Sequence, residues 1–425
     1  MRVIESNREI SAFLKILKNR ASGIGHDIEN RVKTILDDVR KNGDRAVLKY
    51  SRAFDLLKTK QLIMTQDEIS KYSEKADPAL IKALKFSAKR IKAFHEKQKE
   101  KSWSFPERNI ITGQLIQPIE RVGIYIPGGK ASYPSTVLMN VIPAQVAGVK
   151  EIVLCVPTPE GKASPYVMAS IKLLGVKEVY RIGGAQAVGA MAYGTETLKK
   201  VDKIVGPGNI YVATAKKMVF GEVDIDMIAG PSEILIIADN SAKPAFVAAD
   251  LLSQAEHDEY ASSILITDSR RLAENVYKEL GRQLNELSRK KIAVKSINKY
   301  GAIIITKDIN AALELSNLIA PEHLEVMTKK PTALLSRIRN AGAIFLGEWT
   351  PEVLGDYSAG PNHTLPTGGT SRFSSPLGVY DFVKRSSLLR FTKKGFKELA
   401  ETSKIIASAE GLEAHRNSIT VREGS

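Results

Sequence analysis

The chain has 425 residues, of which 43% are hydrophobic and 26% charged, and a formal net charge of +15. That length predicts two or more domains with separate cores, and the composition excludes a disordered or fibrous chain. No apolar run approaches the roughly 20 residues of a membrane helix, Met1-Arg2-Val3-Ile4-Glu5-Ser6-Asn7 is too polar for a secretory signal, and the single Cys155 excludes an internal disulfide, so a cytoplasmic protein is expected.

The segment before about Ser102 reads as helical and rich in Lys and Glu. Its densest basic stretch, Lys85 to Lys101, carries Lys89, Arg90, Lys92, Lys97, Lys99 and Lys101. These alternate with Ile91, Ala93 and Phe94, as on the solvated face of an amphipathic helix. The positive charge invites a nucleic-acid reading, but no zinc-finger, homeodomain or RNA-recognition signature accompanies it. A generic basic surface is the better reading.

From about Gly123 short apolar strands alternate with helical stretches. The strand candidates are Val122–Ile126, Ile152–Val156, Val179–Ile182, Ile204–Val205, Ile234–Ala238, Ile264–Thr267, Ala302–Thr306, Leu324–Met327 and Ala343–Leu346. Pro244–His257 and Ser269–Leu287 are helix candidates, and the tail after about Asp381 also reads as helical and basic. The alternation predicts an α/β fold with mostly parallel sheets. Cys155, within Glu151-Ile152-Val153-Leu154-Cys155-Val156, fits a small buried hydrophobe better than a nucleophile. Several strands end in glycine turns, at Pro127-Gly128-Gly129, Gly183-Gly184 and Gly206-Pro207-Gly208, and ligands of open α/β sheets bind at such ends. Neither Gly183–Gly189 nor Gly128-Gly129-Lys130 matches a nucleotide fingerprint: the first lacks G-x-G-x-x-G, and the second has Ala131 where a P-loop has Ser or Thr.

Four of the six histidines lie in polar motifs of the second half: Ser253-Gln254-Ala255-Glu256-His257-Asp258, Ala320-Pro321-Glu322-His323-Leu324-Glu325, Gly355-Asp356-Tyr357-Ser358-Ala359-Gly360-Pro361-Asn362-His363, and Glu410-Gly411-Leu412-Glu413-Ala414-His415. Each sets an imidazole near a carboxylate or carboxamide, which is the equipment for holding a divalent metal and moving protons near neutral pH. Gln254 continues the Val247/Leu251 stripe, so a buried, hydrogen-bonded role competes there with a metal-binding one. Asp356 and His415 would complete a four-ligand N/O set with Gln254 and His257, and the absence of a cysteine ligand favours a catalytic over a structural metal. Glu322-His323 follows Pro321 and is expected in a loop, where it offers two proton-transfer groups; two exposed polar residues is the plainer alternative.

Taken together, these motifs resemble histidinol dehydrogenases. The matching stretches are Arg121–Gly129, Tyr180–Gly189, Val201–Asn209, Ile228–Glu233, Ser253–Asp258, Pro321–Leu324, Gly355–His363 and Glu410–His415, in family order and spanning about residue 20 to the end. The resemblance implies NAD-dependent, zinc-requiring oxidation of L-histidinol to L-histidine through L-histidinal, the last step of histidine biosynthesis. It implies zinc ligands Gln254, His257, Asp356 and His415, with one Zn2+ per subunit. Glu322 and His323 become the catalytic pair. Ser232 and Glu410 join the ligands and His323 in binding substrate, and Tyr125, Gln186 and Asn209 contact NAD. It further implies a homodimer with shared active sites and two incomplete Rossmann-like domains. These are 21–124 with 232–377, and 125–231, flanked by helical extensions 1–20 and 378–425, the latter reaching the partner subunit. Two features depart from the family: the charge is more basic than usual, and Glu259 stands where proline is common. A zinc hydrolase, or a basic nucleic-acid-binding protein without catalysis, is the alternative reading; the first predicts activity without a nicotinamide and the second salt-dependent polynucleotide binding.

Overall fold

The computed structural model describes residues 1–22, 25–128 and 132–424. The turn Gly128-Gly129-Lys130 with Ala131 therefore lies, beyond Gly128, outside the described residues. The chain opens with β1 (Arg2–Ile4) and α1 (Asn7–Ser22), then α2 (His26–Asp55), α3 (Gln66–Ser73) and α4 (Pro78–Glu96). In α2 the residues Val32, Ile35, Leu36, Val39, Ala46 and Val47 are buried, and their helical spacing makes one apolar stripe. Asp77 caps α4 by accepting the Ala79 N–H, and Pro78 supplies a first residue already set for helix. Lys89, Arg90 and Lys92 lie exposed on α4, the solvated basic face expected of this stretch.

β2 (Trp103–Glu107) and β3 (Ile110–Pro118) follow, then the alternating series β4 (Arg121–Tyr125), α5 (Pro134–Ala147), β5 (Glu151–Cys155), α6 (Pro165–Leu174), β6 (Glu178–Tyr180), α7 (Gly184–Tyr193), β7 (Lys203–Val205), α8 (Ile210–Val219) and β8 (Asp224–Ile225). β4 to β8 form a five-stranded parallel sheet in the order β6-β5-β4-β7-β8. A second series comprises β9 (Glu233–Ala238), α9 (Pro244–Ala255), β10 (Ser262–Thr267), α10 (Arg270–Leu284), α11 (Lys290–Tyr300), β11 (Ala302–Ile305), α12 (Ile309–Ile319), β12 (His323–Met327), β13 (Ala343–Leu346) and α13 (Glu352–Tyr357). Its strands, joined by β1, form a six-stranded parallel sheet in the order β1-β11-β10-β9-β12-β13. All six residues of β9 are buried, as they must be where helices cover both faces of a parallel sheet.

β14 (Val383–Phe391), α14 (Lys393–Ala409) and α15 (Glu413–Glu423) close the chain. The tail after Asp381 thus begins with a strand and not with the helix expected. β14 pairs antiparallel with β3 along its whole length, Val383 opposite Pro118 and Phe391 opposite Ile110, and β2 completes this small third sheet. Pairing partners more than 260 residues apart, not local preference, make this strand.

Packing contacts cross the boundaries implied by the resemblance. A cut between residues 124 and 125 falls inside β4, a central strand of the five-stranded sheet. α2 packs on α7 and α8, α3 on α6, and α4 on α5, so the helices of residues 26–96 cover the five-stranded sheet. The cause is the α2 stripe, which merges with Ala187, Val188 and Met191 in one core. Conversely, Phe13 of α1 packs with Leu235, Ile237 and Ile264, tying the N-terminus into the six-stranded half. No helix among the described residues is long and apolar enough to cross a membrane.

Candidate functional site

Three of the four polar motifs meet at the N-terminal edge of the six-stranded sheet. His323 opens β12, Glu322 precedes it, and Glu233 opens the adjacent β9. α9 returns to the same edge, bringing Gln254 in its last turn and His257 just beyond its end. α13 supplies Glu352 and Asp356, one helical turn apart. Glycine-turn strand ends direct attention to C-terminal edges; this cluster lies at the opposite edge because α9 and α13 carry their polar side chains there.

Glu322 and His323 are not loop residues open to solvent. They are 7% and 3% exposed, respectively, and His323 is a paired strand residue. Glu322 Oε2 accepts the Glu233 backbone N–H at 2.7 Å. His323 Nδ1 lies 2.9 Å from the Glu233 carbonyl oxygen, so Nδ1–H donates to it. Only the neutral imidazole leaves Nε2 as an acceptor; this nitrogen is buried, makes no hydrogen bond to the protein and lies 3.5 Å from Asp356 Oδ1. Gln254 is fully buried; its Nε2 lies 2.9 Å from His323 Nδ1 and donates to the Glu233 carbonyl at 3.3 Å, while its Oε1 has no partner. The amide nitrogen of Gln254 is thus a satisfied core group, while its oxygen is buried without a partner.

Electrostatics sharpen this picture. Burial pushes Glu322 up to about 8. Burial also disfavours a charged His323, yet Glu322 and Asp356 outweigh it and raise the imidazole to about 10. Burial raises Glu352 to about 7. Asp356 is held below its ordinary value against its burial, first by the facing His323, whose Nε2 lies 3.5 Å from Oδ1. His257 reaches the protomer surface, but the protein crowded about it depresses its pKa, with Asp356 acting the other way. One imidazole thus faces several carboxylates, and the nearest nitrogen and oxygen atoms of His323, Glu352 and Asp356 all lie within 4.8 Å of one another. With the unpartnered Gln254 Oε1, this is an N/O donor set with surplus negative charge, and it fits a borderline divalent cation such as Zn2+.

Other expected residues occupy separate places. Ser232 sits next to Glu233 at the start of β9, half-buried. Tyr125 ends β4, Gln186 lies in the first turn of α7, and Asn209 caps α8 by accepting the Tyr211 and Val212 N–H groups. These three line the C-terminal edge of the five-stranded sheet, the edge the glycine turns indicated. Gly206 there has φ +109°, and a Cβ on it would come within 2.2 Å of the Tyr125 carbonyl oxygen, so only glycine lets these strand ends approach. Glu410 and His415 are exposed on the C-terminal arm, with no side-chain hydrogen bond or ion pair among the described residues. The protomer does not bring them to the cluster. Glu259 pairs with Lys295 at 2.8 Å, which ties the loop after His257 without a proline.

Several participants were not foreseen. Glu352 Oε1 accepts from Ser253 at 2.5 Å, and its backbone N–H donates to Glu325 at 2.7 Å. Glu325 lies two residues after His323 on the same strand face. Its acid inside the run Leu324-Glu325-Val326 was the available signal. His363 donates from Nδ1 to the Asp356 carbonyl at 2.9 Å, and its Nε2 lies 3.5 Å from the Thr136 hydroxyl at the start of α5. Through it, the cluster touches the helix that follows β4, so the N-terminal edge of one sheet faces the C-terminal edge of the other.

Two parallel sheets meeting at a buried histidine–carboxylate cluster, next to glycine-lined strand ends, define an α/β enzyme with a cation-competent centre. The histidinol dehydrogenase family profile matches residues 18–423. A histidinol dehydrogenase of Aquifex aeolicus (strain VF5) is 54% identical over 428 residues, covering 100% of both chains. That of Geobacter sulfurreducens is 56% identical over 407 residues, 95% of each. The crystal structure of histidinol dehydrogenase from Elizabethkingia anophelis superposes with a TM-score of 0.94 at 38% identity, covering 100% of this chain and 98% of the other. The chain belongs to the histidinol dehydrogenase family, and it is an oxidoreductase of histidine biosynthesis.

Proposed function

We propose that the chain carries out the NAD-dependent, zinc-requiring oxidation of L-histidinol to L-histidine via L-histidinal. The observation that carries this reading is His323 Nε2: a buried, unpartnered imidazole nitrogen, its ring oriented by the Glu233 carbonyl, facing a carboxylate-rich donor set whose charge a bound cation would offset, freeing Nε2 to act as a base. Gln254, His257 and Asp356 would hold one Zn2+, with His415 arriving from the partner subunit of a homodimer. Bound zinc would supply a Lewis acid that takes the amine and imidazole of histidinol and fixes the carbinol carbon. Bound NAD would accept the hydride. Tyr125, Gln186 and Asn209 would position that cofactor.

His323 Nε2 is placed to take the alcohol proton as hydride leaves, and again the proton of the hydrated aldehyde. Glu322 is held by the Glu233 N–H through one oxygen; the other has no protein hydrogen bond among the described residues and suits a water proton at the aldehyde stage. Ser232, Glu410 and His415 complete substrate binding in this reading. The exposed arm supports the shared-site part: besides Glu410 and His415 it presents Leu399, Ile405, Ile406 and Val421 to the outside, as a segment that packs on a second subunit would. Nothing at this cluster favours nucleic acid over a small substrate.

The test is NADH absorbance from purified protein given L-histidinol and NAD, with and without a chelator. NADH formation, lost on chelation and restored by zinc, is expected. No NADH with zinc restored would sink the reading, and hydrolytic activity without a nicotinamide would favour the zinc-hydrolase alternative.

A further inference from the structure

Asp55 ends α2 and carries a charge that folding does not call for. It stands at the C-terminus of the helical segment that follows the break at Gly43 (φ +50°) within α2, where the helix dipole disfavours an anion. Its Oδ2 is shielded from solvent and has no hydrogen-bond partner. Burial raises the carboxyl's pKa, against a hydrogen bond from the Gly183 backbone N–H that lowers it. A Cβ on Gly183 would come within 2.9 Å of Asp55 Oδ2 and 3.0 Å of Pro157, so a glycine at this turn is what admits the carboxylate. Beside it, Gln186 is fully buried with both amide atoms unpartnered, and Tyr125 Oη accepts the Gly184 N–H at 3.2 Å. An acceptor-only oxygen and an unsatisfied amide therefore flank the start of α7.

The chemistry of the missing partner follows from the charge. A carboxylate accepts and does not donate. Placed against the N–H groups at the start of α7, it spoils that position for phosphate and suits a hydroxyl. Its place in the sheet gives the rest. The catalytic cluster touches the five-stranded sheet at α5, after β4, through His363 and Thr136. Asp55 sits by the turn after β6, two strands away in the order β6-β5-β4, which is about 10 Å at ordinary strand spacing. The reacting half of a dinucleotide belongs at β4, leaving its other half at β6.

Building on the NAD reading above, we propose that Asp55 accepts the 2′-hydroxyl of the adenosine ribose of NAD and thereby rejects the 2′-phosphorylated cofactor. The comparison to make is direct binding of NAD and NADP to the full chain, by calorimetry, for wild type, Asp55→Asn and Asp55→Glu. Wild type is expected to bind NAD more tightly than NADP. Asp55→Asn should weaken NAD roughly 10- to 100-fold, the worth of a hydrogen bond to a charged group, and narrow the gap to NADP, with zinc content and circular dichroism unchanged. Asp55→Glu keeps the charge and should still reject NADP. Unchanged NAD affinity in Asp55→Asn, or an equal loss for both nucleotides, would overturn the inference while leaving the NAD reading intact. A wild-type chain that binds neither nucleotide would bring down both.

Discussion

Lys216 and Asp226 make the buried ion pair most open to a quantitative test. Their side chains are 2% and 1% exposed. The ammonium contacts Asp226 Oδ1 and donates to the Gly206 carbonyl at 2.9 Å, while Asp226 also accepts the Gly206 N–H at 2.8 Å and the Met227 N–H at 2.6 Å. The pair thus clamps both sides of Gly206, at the turn that leads to Asn209. Lys216→Met keeps most of the apolar stem but strands a carboxylate and a carbonyl. Removing one partner of a buried pair costs about 3–5 kcal/mol, because the other charge stays buried. The two retained N–H bonds put the expected loss at the lower end of that range.

The unit concerned is local, so hydrogen exchange over peptides spanning 203–227 is the suitable assay. A loss of about 3 kcal/mol should speed their slowest amides on the order of 10²-fold, at about 1.4 kcal/mol per tenfold. Lys216→Met with Asp226→Leu should recover much of it, since an apolar pair of similar volume is often as stable as a buried ion pair. Exchange accelerated less than tenfold in the single variant would mean that the carboxylate is not sealed from water. A double variant as poor as the sum of its singles would show that the two groups are not coupled.

At the cluster, His257→Ala should lose zinc, measured by metal analysis, and activity, while its circular dichroism stays that of wild type; full zinc occupancy would remove His257 from the ligand set. Glu322→Gln should slow oxidation of supplied histidinal about 10²–10⁴-fold and the first hydride transfer much less, whereas His323→Ala should slow both; single-turnover rates of each half-reaction decide, and equal slowing by Glu322→Gln would make that carboxylate a positioning group. Mixing inactive His257→Ala with inactive His415→Ala subunits should restore some activity if sites are shared; mixtures that exchange subunits yet stay inactive would place the site within one chain. Burial raises Asp381 to about 6 from an ordinary 3.8, against the pull of Lys203. Because the folded value is the higher one, this group's contribution is full below about 3.8 and lost as pH rises through 6. Asp381→Asn should therefore gain stability relative to wild type between pH 4 and pH 7, and a pH-independent difference in melting temperature would contradict that sign.

The parallel sheets were legible because each buried strand is a short apolar run between helical stretches, and Ile234–Ala238 and Ile264–Thr267 reappear inside β9 and β10. The third sheet was not. Val383–Phe391 interleaves Lys384, Arg385 and Arg390 with apolar residues, and only β3 makes a strand of it. The same limit hid Glu352. An acid just after Pro351 is what any helix start would carry, to cap and complement the dipole. Its value comes from Ser253 and Glu325, 99 and 27 residues away, which no local pattern shows. Glu322 and His323 were legible as chemistry but not as placement, since a Pro-flanked polar pair looks solvent-exposed until β9 and β13 close around β12.

That placement is itself the argument for function. Glu322, Glu325 and Glu352 are buried carboxyls whose pKa values are all driven upward, chiefly by burial, and Gln254 Oε1, His323 Nε2, Glu325 Oε2 and Glu352 Oε2 lack partners. Each unpartnered buried polar atom costs the fold about 1–3 kcal/mol, and apolar residues of similar volume would serve packing at least as well. Arg20, which donates to the Tyr260 carbonyl at 2.8 Å and pairs with Glu233, anchors the segment that orients His323 but neutralises none of these oxygens. Several such costs concentrated at one edge, where two sheets face each other, would be offset by the occupants proposed above, which bring positive charge and hydrogen-bond donors: a divalent cation, and a substrate with an alcohol and an amine. The fold gives up stability at this junction, which is the mark of a binding site, and the proposed ligands would return it.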